Sequence, residues 1–172
     1  MSSKRGYQLR RCLAFCLLSI LMPAWAQGTL VSEMKAFVVT AQDDGTETLQ
    51  EASTVEPGQL IEYQMQYRNN GDDPLSGLAV TGPVPGGTQY VGGTAASETA
   101  HVFEASIDGG SSWHIEPLVR TVIQPDGTEK QEVVAPEEYT HVRWLAAEPL
   151  ASDASQQYRY RVQVQAGEEG AR

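Results

Sequence analysis

The stretch that decides the fold runs from Val55 to Val91 and reads VEPGQLIEYQMQYRNNGDDPLSGLAVTGPVPGGTQYV. Within it, LIEYQMQYR alternates apolar and polar residues, which is typical of a half-buried strand. The residues of its apolar face are Ile61, Tyr63, Met65 and Tyr67. The Pro57-Gly58 pair turns the chain into this strand and Asn69–Pro74 turns it out, because Asn and Gly tolerate turn conformations. The stretch contains no nucleophile motif, phosphate-binding loop or metal-ligand spacing, so it predicts a surface rather than a reaction centre.

The rest of the chain repeats this pattern in short strands separated by Gly and Pro. We expect a first strand in MKAFVVTAQ, a short one at Leu78–Val80, and others in TQYV, THVRWLA and YRYRVQVQ. DGG at 108–110 and PDG at 125–127 predict two hairpins, and Pro83 to Gly87 predicts a corner. No helical periodicity reaches three turns. Together these features predict an all-β, immunoglobulin-like antiparallel β-sandwich of about seven to nine strands.

The alternation also predicts which side chains fill the sandwich. The expected core residues are Phe37, Val39, Ile61, Tyr63, Met65, Tyr67, Leu78, Val80, Tyr90, Phe103, Ile107, Trp144, Tyr158, Tyr160, Val162 and Val164.

The N-terminus has the layout of a secretory signal. Four basic residues between Lys4 and Arg11 precede an apolar run from Leu13 to Met22, which is about half the length that a membrane-spanning helix needs. Small residues at Ala24 and Ala26 predict cleavage between Ala26 and Gln27. We therefore expect a signal peptide (1–26), an N-terminal arm (27–33), one sandwich domain (34–166) and a disordered tail (167–172), in the periplasm or at the cell surface.

Cleavage there changes both the cysteine content and the charge. Cys12 and Cys16 leave with the signal, so the mature chain relies on its core rather than on disulfides. Four of the 12 Lys and Arg but none of the 22 Asp and Glu precede Gln27, which leaves eight basic and 22 acidic residues and a net charge of −14. This charge repels nucleic acid and anionic lipid headgroups, so we expect no nucleic-acid partner. No apolar segment after the signal approaches the length of a membrane span, so we also expect no transmembrane segment in the mature chain.

The segment from Val55 to Thr94 also resembles the bacterial domain of unknown function 11, a repeat of exported and surface proteins. Its motif is a Pro-Gly turn, a strand ending in Asn, a Gly turn, a second strand and a Pro-Gly corner. The matching residues are Pro57-Gly58, Asn69 or Asn70, Gly71, Val80-Thr81 and Pro85-Gly86. The pieces ASIDGGSSW, YTHVRW and PLASDASQQYRYRVQV resemble single-domain exported members, so the resemblance covers about Met34 to Gln165.

This resemblance implies an immunoglobulin-like sandwich and no known enzymatic activity. One position departs from the family. Members often have an Asp before Leu-Pro, whereas this chain has Gly82-Pro83-Val84-Pro85. A role of that Asp in capping the turn or in binding a cation therefore does not carry over.

Residues that could carry chemistry each have a structural explanation as well. Ser111 and Ser112 precede His114, but no Gly-x-Ser-x-Gly elbow accompanies them, and we expect no enzymatic activity. His101 and His141 lie in separate segments, without the clustered ligands that zinc requires. Asp residues at 43–44, 72–73 and 108 could bind calcium, yet turns favour Asp for backbone reasons, and we expect no cofactor.

Three loops are the predicted interaction sites, at 69–74, 108–114 and 125–129. The candidate contact residues are Asn70, Asp72, Asp108, Trp113 and Asp126. Trp113 could stack on a sugar ring or anchor a protein contact, or it could fold back over the sandwich edge.

A different candidate is an internal cross-link. Lys35, Asn69 and Glu62 supply the groups of a Lys–Asn isopeptide bond with an assisting carboxylate. The alternative is an exposed lysine and an asparagine that forms a turn.

The sequence thus predicts an exported, non-catalytic module, a structural or protein-interaction component of the bacterial cell envelope. Its expected partner is another envelope or surface protein. One alternative is a fimbria-like subunit that assembles with itself through strand edges, with Gln27 to Thr40 as a detachable arm. A glycan- or calcium-binding module is the other alternative.

Overall fold

The computed structural model describes residues 29–166, in which the regular secondary structure is β-strand apart from one short 3₁₀ helix at Pro136–Glu138. The strands are β1 (Leu30–Ala41), β2 (Glu47–Glu51), β3 (Leu60–Asn69), β4 (Ala79–Pro83), β5 (Thr88–Tyr90), β6 (Ala96–Ser97), β7 (His101–Ser106), β8 (His114–Ile115), β9 (Val119–Ile123), β10 (Glu129–Val133), β11 (His141–Ala146) and β12 (Ser155–Val164). The predicted signal peptide, its cleavage position at Ala26–Gln27 and the tail 167–172 lie outside the described residues.

Ten of these strands form two antiparallel sheets that pack against each other. The six-stranded sheet has the order β2-β1-β3-β12-β5, and β6 also pairs with β12. The four-stranded sheet has the order β4-β11-β7-β8, while β9 and β10 form a two-stranded hairpin of their own. The predicted all-β sandwich is confirmed. It has more strands than the seven to nine expected, because strands as short as β6 and β8 border the sheets.

Aromatic rings fill the space between the sheets. Trp144 of β11 is fully buried, and its ring centroid lies 5.7 Å from that of Tyr158 and 6.0 Å from that of Tyr160, both on β12. Phe103 of β7 packs edge-on against the same indole at 5.7 Å. Burial raises the pKa of the Tyr160 hydroxyl, which donates a hydrogen bond to the carbonyl of Pro83. The face that alternation predicted for β12 is therefore the inner one.

The predicted inner face of β1 is wrong. Phe37 lies directly opposite Glu62 on the outer face of the six-stranded sheet, and Val39 shares that face. Ala36 and Val38 pack against the core instead. Both faces of this strand are apolar in the sequence AFVV, so alternation alone could not choose between them. Buried apolar residues absent from the predicted list are Ala105, Leu118, Val134, Tyr139, Val142 and Leu150.

The predicted N-terminal arm also needs correction. β1 begins at Leu30 and pairs with the whole length of β3, from Leu30 opposite Asn69 to Val39 opposite Leu60. Residues 30–33 therefore belong to the sandwich, and residues 30–40 of the proposed detachable arm are a paired strand. Residues 27 and 28 lie outside the described part.

Gly82 in β4 lets the two sheets approach closely. A Cβ at this position would lie 2.5 Å from Cε1 of Tyr160, so no larger residue fits without a shift of the ring. β4 continues to Pro83, the first residue of the corner that the sequence predicted, because β4 is an edge strand in which a missing N–H is tolerated.

Candidate functional site

The three predicted loops lie at different places in the fold. The loop 69–74 leads through Leu75 towards the start of β4. Asp108 follows Ser106, which pairs with His141, and His141 pairs with Pro83 at the opposite end of β4. The loop 125–129 forms the tip of the β9–β10 hairpin. The structure therefore does not bring the candidate contact residues together into one site.

The first loop is organised by a buried asparagine. The side-chain amide of Asn69 donates hydrogen bonds to the carbonyls of Asp73 (2.8 Å) and Leu150 (3.1 Å), and its oxygen accepts one from the N–H of Gly71 (2.9 Å). Asn70 and Asp72 are exposed, and Asn70 accepts a hydrogen bond from Arg68. Asn69 therefore holds the shape of the loop, while its neighbours face outward.

Asp108 organises the second loop in the same way. Its carboxylate accepts hydrogen bonds from the hydroxyl of Ser106 (2.7 Å) and from the N–H (2.9 Å) and hydroxyl (2.6 Å) of Ser112, which hold the pKa of Asp108 well below its usual range. The Ser112 hydroxyl is also 3.4 Å from Nε2 of His114. Serine thus stands between the carboxylate and the histidine, whereas in a catalytic triad the histidine stands in the middle.

Trp113 folds back onto the outer face of the four-stranded sheet. The guanidinium of Arg143 lies 4.2 Å from the centroid of the indole, and the ring of His141 meets it edge-on at 6.4 Å. Arg143 in turn pairs with Glu104 on β7. Of the two alternatives for Trp113, the structure agrees with the one in which it covers the sandwich.

The turn at Asp126 has the same hydrogen-bond pattern as the turn at Asp44, which the sequence also placed in a turn. Asp126 accepts hydrogen bonds from the N–H (2.9 Å) and hydroxyl (2.6 Å) of Thr128, and Asp44 accepts the same two from Thr46 at the same distances. These bonds lower the pKa of both carboxyl groups. Within residues 29–166, no group of three or more His, Cys, Asp or Glu side chains is placed to hold a metal ion.

The isopeptide hypothesis is contradicted by the pairing of β1 with β3. Lys35 lies opposite Gln64, whereas Asn69 lies opposite Leu30, about 17 Å further along the strand. Glu62 shares the outer face with Lys35, but Asn69 is turned to the other face and its amide is already hydrogen-bonded. Lys35 instead pairs with Glu33 at the surface, at 3.1 Å.

The β9–β10 hairpin carries an exposed apolar face that the sequence did not reveal. Val119 lies opposite Val133, and Ile123 shares their face. These side chains are 56%, 61% and 72% exposed, respectively. The buried residues Leu118 and Val134 fix the base of the hairpin to the core. In the sequence, apolar residues at 119, 122 and 123 occupy both faces, and no pattern shows which face is covered.

Salt bridges of Arg120 fix the other face of the hairpin. Arg120 pairs with Glu132 across the hairpin (2.8 Å) and with Glu138 in the 3₁₀ helix, and these hydrogen bonds raise the pKa of Arg120. The hairpin is therefore attached to the domain by its charged face and presents its apolar face to the surroundings.

A groove of about 350 Å³ crosses the outer face of the six-stranded sheet. Its side chains come from β1, β3, β12 and the segment at β6, and include Glu33, Lys35, Phe37, Gln64, Gln66, Ser97, Glu98, Gln157 and Arg159. Gln64 donates a hydrogen bond to Glu62. Within residues 29–166, the side chains of Gln66, Gln157 and Arg159 make no hydrogen bond, so they are available to a ligand.

Beside the groove lies an ion network around the buried carboxylate of Glu62. Glu62 is only 2% exposed although it is on the outer face, and its carboxylate pairs with Nε of Arg161 on β12 at 2.8 Å. The other guanidinium nitrogens bind both oxygens of Glu47 on β2 (3.0 and 2.7 Å), which lowers the pKa of Glu47. Arg161 therefore links β12, β3 and the edge strand β2.

Within the part of the chain described here, no helix has both the length and the apolar character needed to cross a bilayer. In comparisons with known proteins, the chain matches no protein-family model, no curated protein and no solved structure.

Proposed function

We propose that this chain is an exported, non-catalytic interaction module of the bacterial cell envelope, which binds another envelope protein through the apolar face of its β9–β10 hairpin. The single observation that carries the proposal is the exposure of Val119, Ile123 and Val133 on one face. The signal-like N-terminus and the resemblance to domain of unknown function 11 support export and a role at the envelope.

A partner that covered this exposed apolar face would stabilise the hairpin. A two-stranded hairpin is marginally stable in water, and aliphatic side chains in contact with solvent add nothing to its stability. Covering such a face contributes roughly 25 cal/mol for each Å² of apolar area removed from water. Large apolar side chains exposed together on one face of a soluble protein commonly mark an interaction site.

The chemistry of the face restricts the partner. Thr121 and Gln131 lie between the aliphatic residues, and Glu129 at the tip is the one charged residue on this face. Low charge at the centre of a patch is typical of protein interfaces. The net charge of −14 of the predicted mature chain steers basic surfaces towards it. The partner that fits is a protein with an aliphatic or aromatic pocket bordered by Lys or Arg.

The test places a photo-crosslinking amino acid at Thr121, in the middle of the apolar face, in cells that export the chain. We expect one recurrent envelope protein in the captured material. The double variant Ile123→Lys, Val133→Lys should lose this capture, because it puts a charge at each end of the apolar face. Purified chain and partner should then bind, and the double variant should weaken this binding at least about tenfold, or about 1.4 kcal/mol.

A matched control tests whether a lysine at any exposed valine would have the same effect as the hairpin variant. Val102→Lys changes another exposed valine, 44% exposed on the four-stranded sheet, and should leave capture and affinity unchanged. Capture that survives the double variant, or that Val102→Lys abolishes equally, would show that the hairpin face is not the binding surface.

The groove favours a second function, the binding of a neutral glycan. Carboxamide and guanidinium groups offer the donors and acceptors that sugar hydroxyls require. Gln66, Gln157 and Arg159 provide them without hydrogen bonds of their own in the described part, and Phe37 lies at the side of the groove. The volume of about 350 Å³ is at the small end of the range for ligand sites.

Titration of the purified chain with di- and trisaccharides of hexoses and N-acetylhexosamines tests this second function. We expect binding that the double variant Gln66→Ala, Arg159→Ala weakens at least about tenfold. Trp113→Ala should not change it, because that ring lies against Arg143 on the other sheet. Binding that depends on Trp113 and not on the groove residues would reject the groove as the site.

A further inference from the structure

The first half of β1 has an open edge. On one side β3 pairs with residues from Leu30 to Val39, but on the other side β2 pairs only with Phe37–Ala41. One more hydrogen bond, from the N–H of Ala52 to the carbonyl of Ala36 (2.9 Å), extends this cover by one residue. Among residues 29–166, the edge from Leu30 to Lys35 has no strand partner. An exposed edge of this kind is a template for pairing with another chain.

The backbone groups of every second residue face this open edge. The carbonyl of Ala36 faces β2, and backbone groups alternate in direction along a strand, so those of Leu30, Ser32 and Met34 face the same way. The N–H of Asn70 bonds to the carbonyl of Thr29 on the β3 side, which agrees with this alternation. Each outward residue offers one donor and one acceptor.

Two apolar side chains on the inner face of the sheet are left exposed at this edge. Met34 lies opposite the buried Met65 on the inner face of the sheet, yet it is 45% exposed, and Leu30 on the same face is 38% exposed. A strand added at the edge would cover both, since directly opposed side chains lie only about 4.5–5.5 Å apart.

We propose that two copies of this chain pair antiparallel along the edge from Leu30 to Lys35, with Ser32 on the two-fold axis. In this register Leu30 lies opposite Met34 of the second copy, Ser32 lies opposite itself, and Val31 lies opposite Glu33. All the outward backbone groups find partners, about six hydrogen bonds in total. The two six-stranded sheets become one continuous sheet. This inference goes beyond the proposed function and does not depend on it.

The registers centred on Glu33 and Met34 fail for physical reasons. Pairing centred on Glu33 sets this carboxylate directly opposite itself, and like charges in that position destabilise a sheet. Pairing centred on Met34 requires Ser32 to bond with Ala36 of the second copy, whose carbonyl is already bonded to Ala52. Of the registers within the open edge, the Ser32-centred one pairs the outward groups of Leu30, Ser32 and Met34 and brings Leu30 and Met34 together.

The geometry also limits the size of the assembly. An isologous contact uses the same edge on both copies, so it closes at a dimer and does not produce a filament. About six residues of edge bury less than the roughly 1,000 Å² expected of a stable interface, so the dimer dissociates on dilution. This pairing differs from the detachable-arm assembly, because β1 keeps all its bonds to β3.

Sedimentation of the purified chain and a cysteine scan test this proposal together. The mass should double with rising concentration. Ser32→Pro should abolish the doubling, because it removes the outward N–H while residues 31 and 33 keep their bonds to β3. Ser32→Ala, which keeps the N–H, should still dimerise.

The cysteine scan uses chains in which Cys12 and Cys16 are replaced by serine, so that the introduced thiol is the only one. Ser32→Cys should form a disulfide dimer under mild oxidation, because opposed Cα atoms in a hydrogen-bonded pair are about 5.5 Å apart and disulfides require about 4.4–6.8 Å. Glu33→Cys and Met34→Cys should not, since their Cα atoms would be more than about 7 Å from their counterparts.

Several outcomes would overturn the proposal. These are a constant monomeric mass at high concentration, a cross-link at Glu33→Cys or Met34→Cys in place of Ser32→Cys, and a monomer whose Ser32→Cys thiol captures a different exported protein. The Ile123→Lys, Val133→Lys variant should dimerise normally, so failure of this proposal and failure of the hairpin proposal can be told apart.

Discussion

Replacing Trp144 with alanine should lower the free energy of unfolding by about 3–5 kcal/mol, which is the usual cost of truncating a fully buried large aromatic residue. The indole has no exposed surface, and it contacts Phe103, Tyr158 and Tyr160 from both sheets. A cavity there would loosen the contact between the two sheets. Typical domains are stable by only about 5–15 kcal/mol, so this variant should approach the limit of folding. Urea denaturation followed by far-ultraviolet circular dichroism measures the effect.

Two further variants make this test specific. Trp144→Phe should cost much less than alanine, because it leaves a smaller cavity and removes the indole N–H, which is buried without a hydrogen-bond partner in the described structure. Trp113→Ala should cost about 1 kcal/mol or less, since the half-buried Trp113 contributes mainly a cation–π contact with Arg143. If Trp113→Ala proved as damaging as Trp144→Ala, the assignment of the core would be wrong.

The elements that the sequence predicted well are those with one clearly apolar face. In β3 and β12, aromatic and aliphatic residues alternate with Glu, Gln and Arg, so the period of two defines both the strand and its inner side. The hairpins at Asp108 and Asp126 were predictable for a local reason. Asp and Gly at a turn satisfy the backbone within a few residues, whatever the rest of the chain does.

The elements that the sequence did not predict depend on contacts between distant segments. β1 is apolar on both faces, and only its pairing with β3 shows that Ala36 rather than Phe37 points inward. The hairpin β9–β10 was expected, but alternation cannot show whether another sheet covers its apolar face. The proposed cross-link failed for a similar reason, since the direction of Asn69 relative to Lys35 follows from the register of β1 on β3.

The candidate sites show the same limit. Asp108 and Asp126 were predicted as contact residues of two loops, and Asn69 as part of a cross-link, yet the side chains of all three hold their own turns through hydrogen bonds. The surfaces that remain available are the apolar hairpin face, the groove and the open edge of β1. Each of these surfaces is formed by residues that belong to no recognisable sequence motif.

Arg161 joins residues that are far apart in the sequence, because it pairs with Glu47 and Glu62. Arg161→Met should lower the free energy of unfolding by about 3 kcal/mol. Its guanidinium binds Glu62, which is 2% exposed, and Glu47 on the edge strand β2. Methionine keeps the apolar stem but leaves the carboxylate of Glu62 buried without its counter-charge. We place the expected loss at the lower end of the range for a broken buried ion pair, because the side chain of Arg161 is itself 23% exposed.

Two companion variants decide whether the loss of stability in Arg161→Met comes from the unpaired carboxylate of Glu62. The double variant Glu62→Leu, Arg161→Met removes both charges and should recover most of the stability, because apolar pairs often replace buried ion pairs at little cost. Glu47→Gln should cost only about 0–1 kcal/mol, since the side chain of Glu47 is 44% exposed. Urea denaturation at neutral pH measures all three. If the double variant were less stable than Arg161→Met alone, the cost would arise from lost packing around the arginine stem rather than from the buried charge of Glu62.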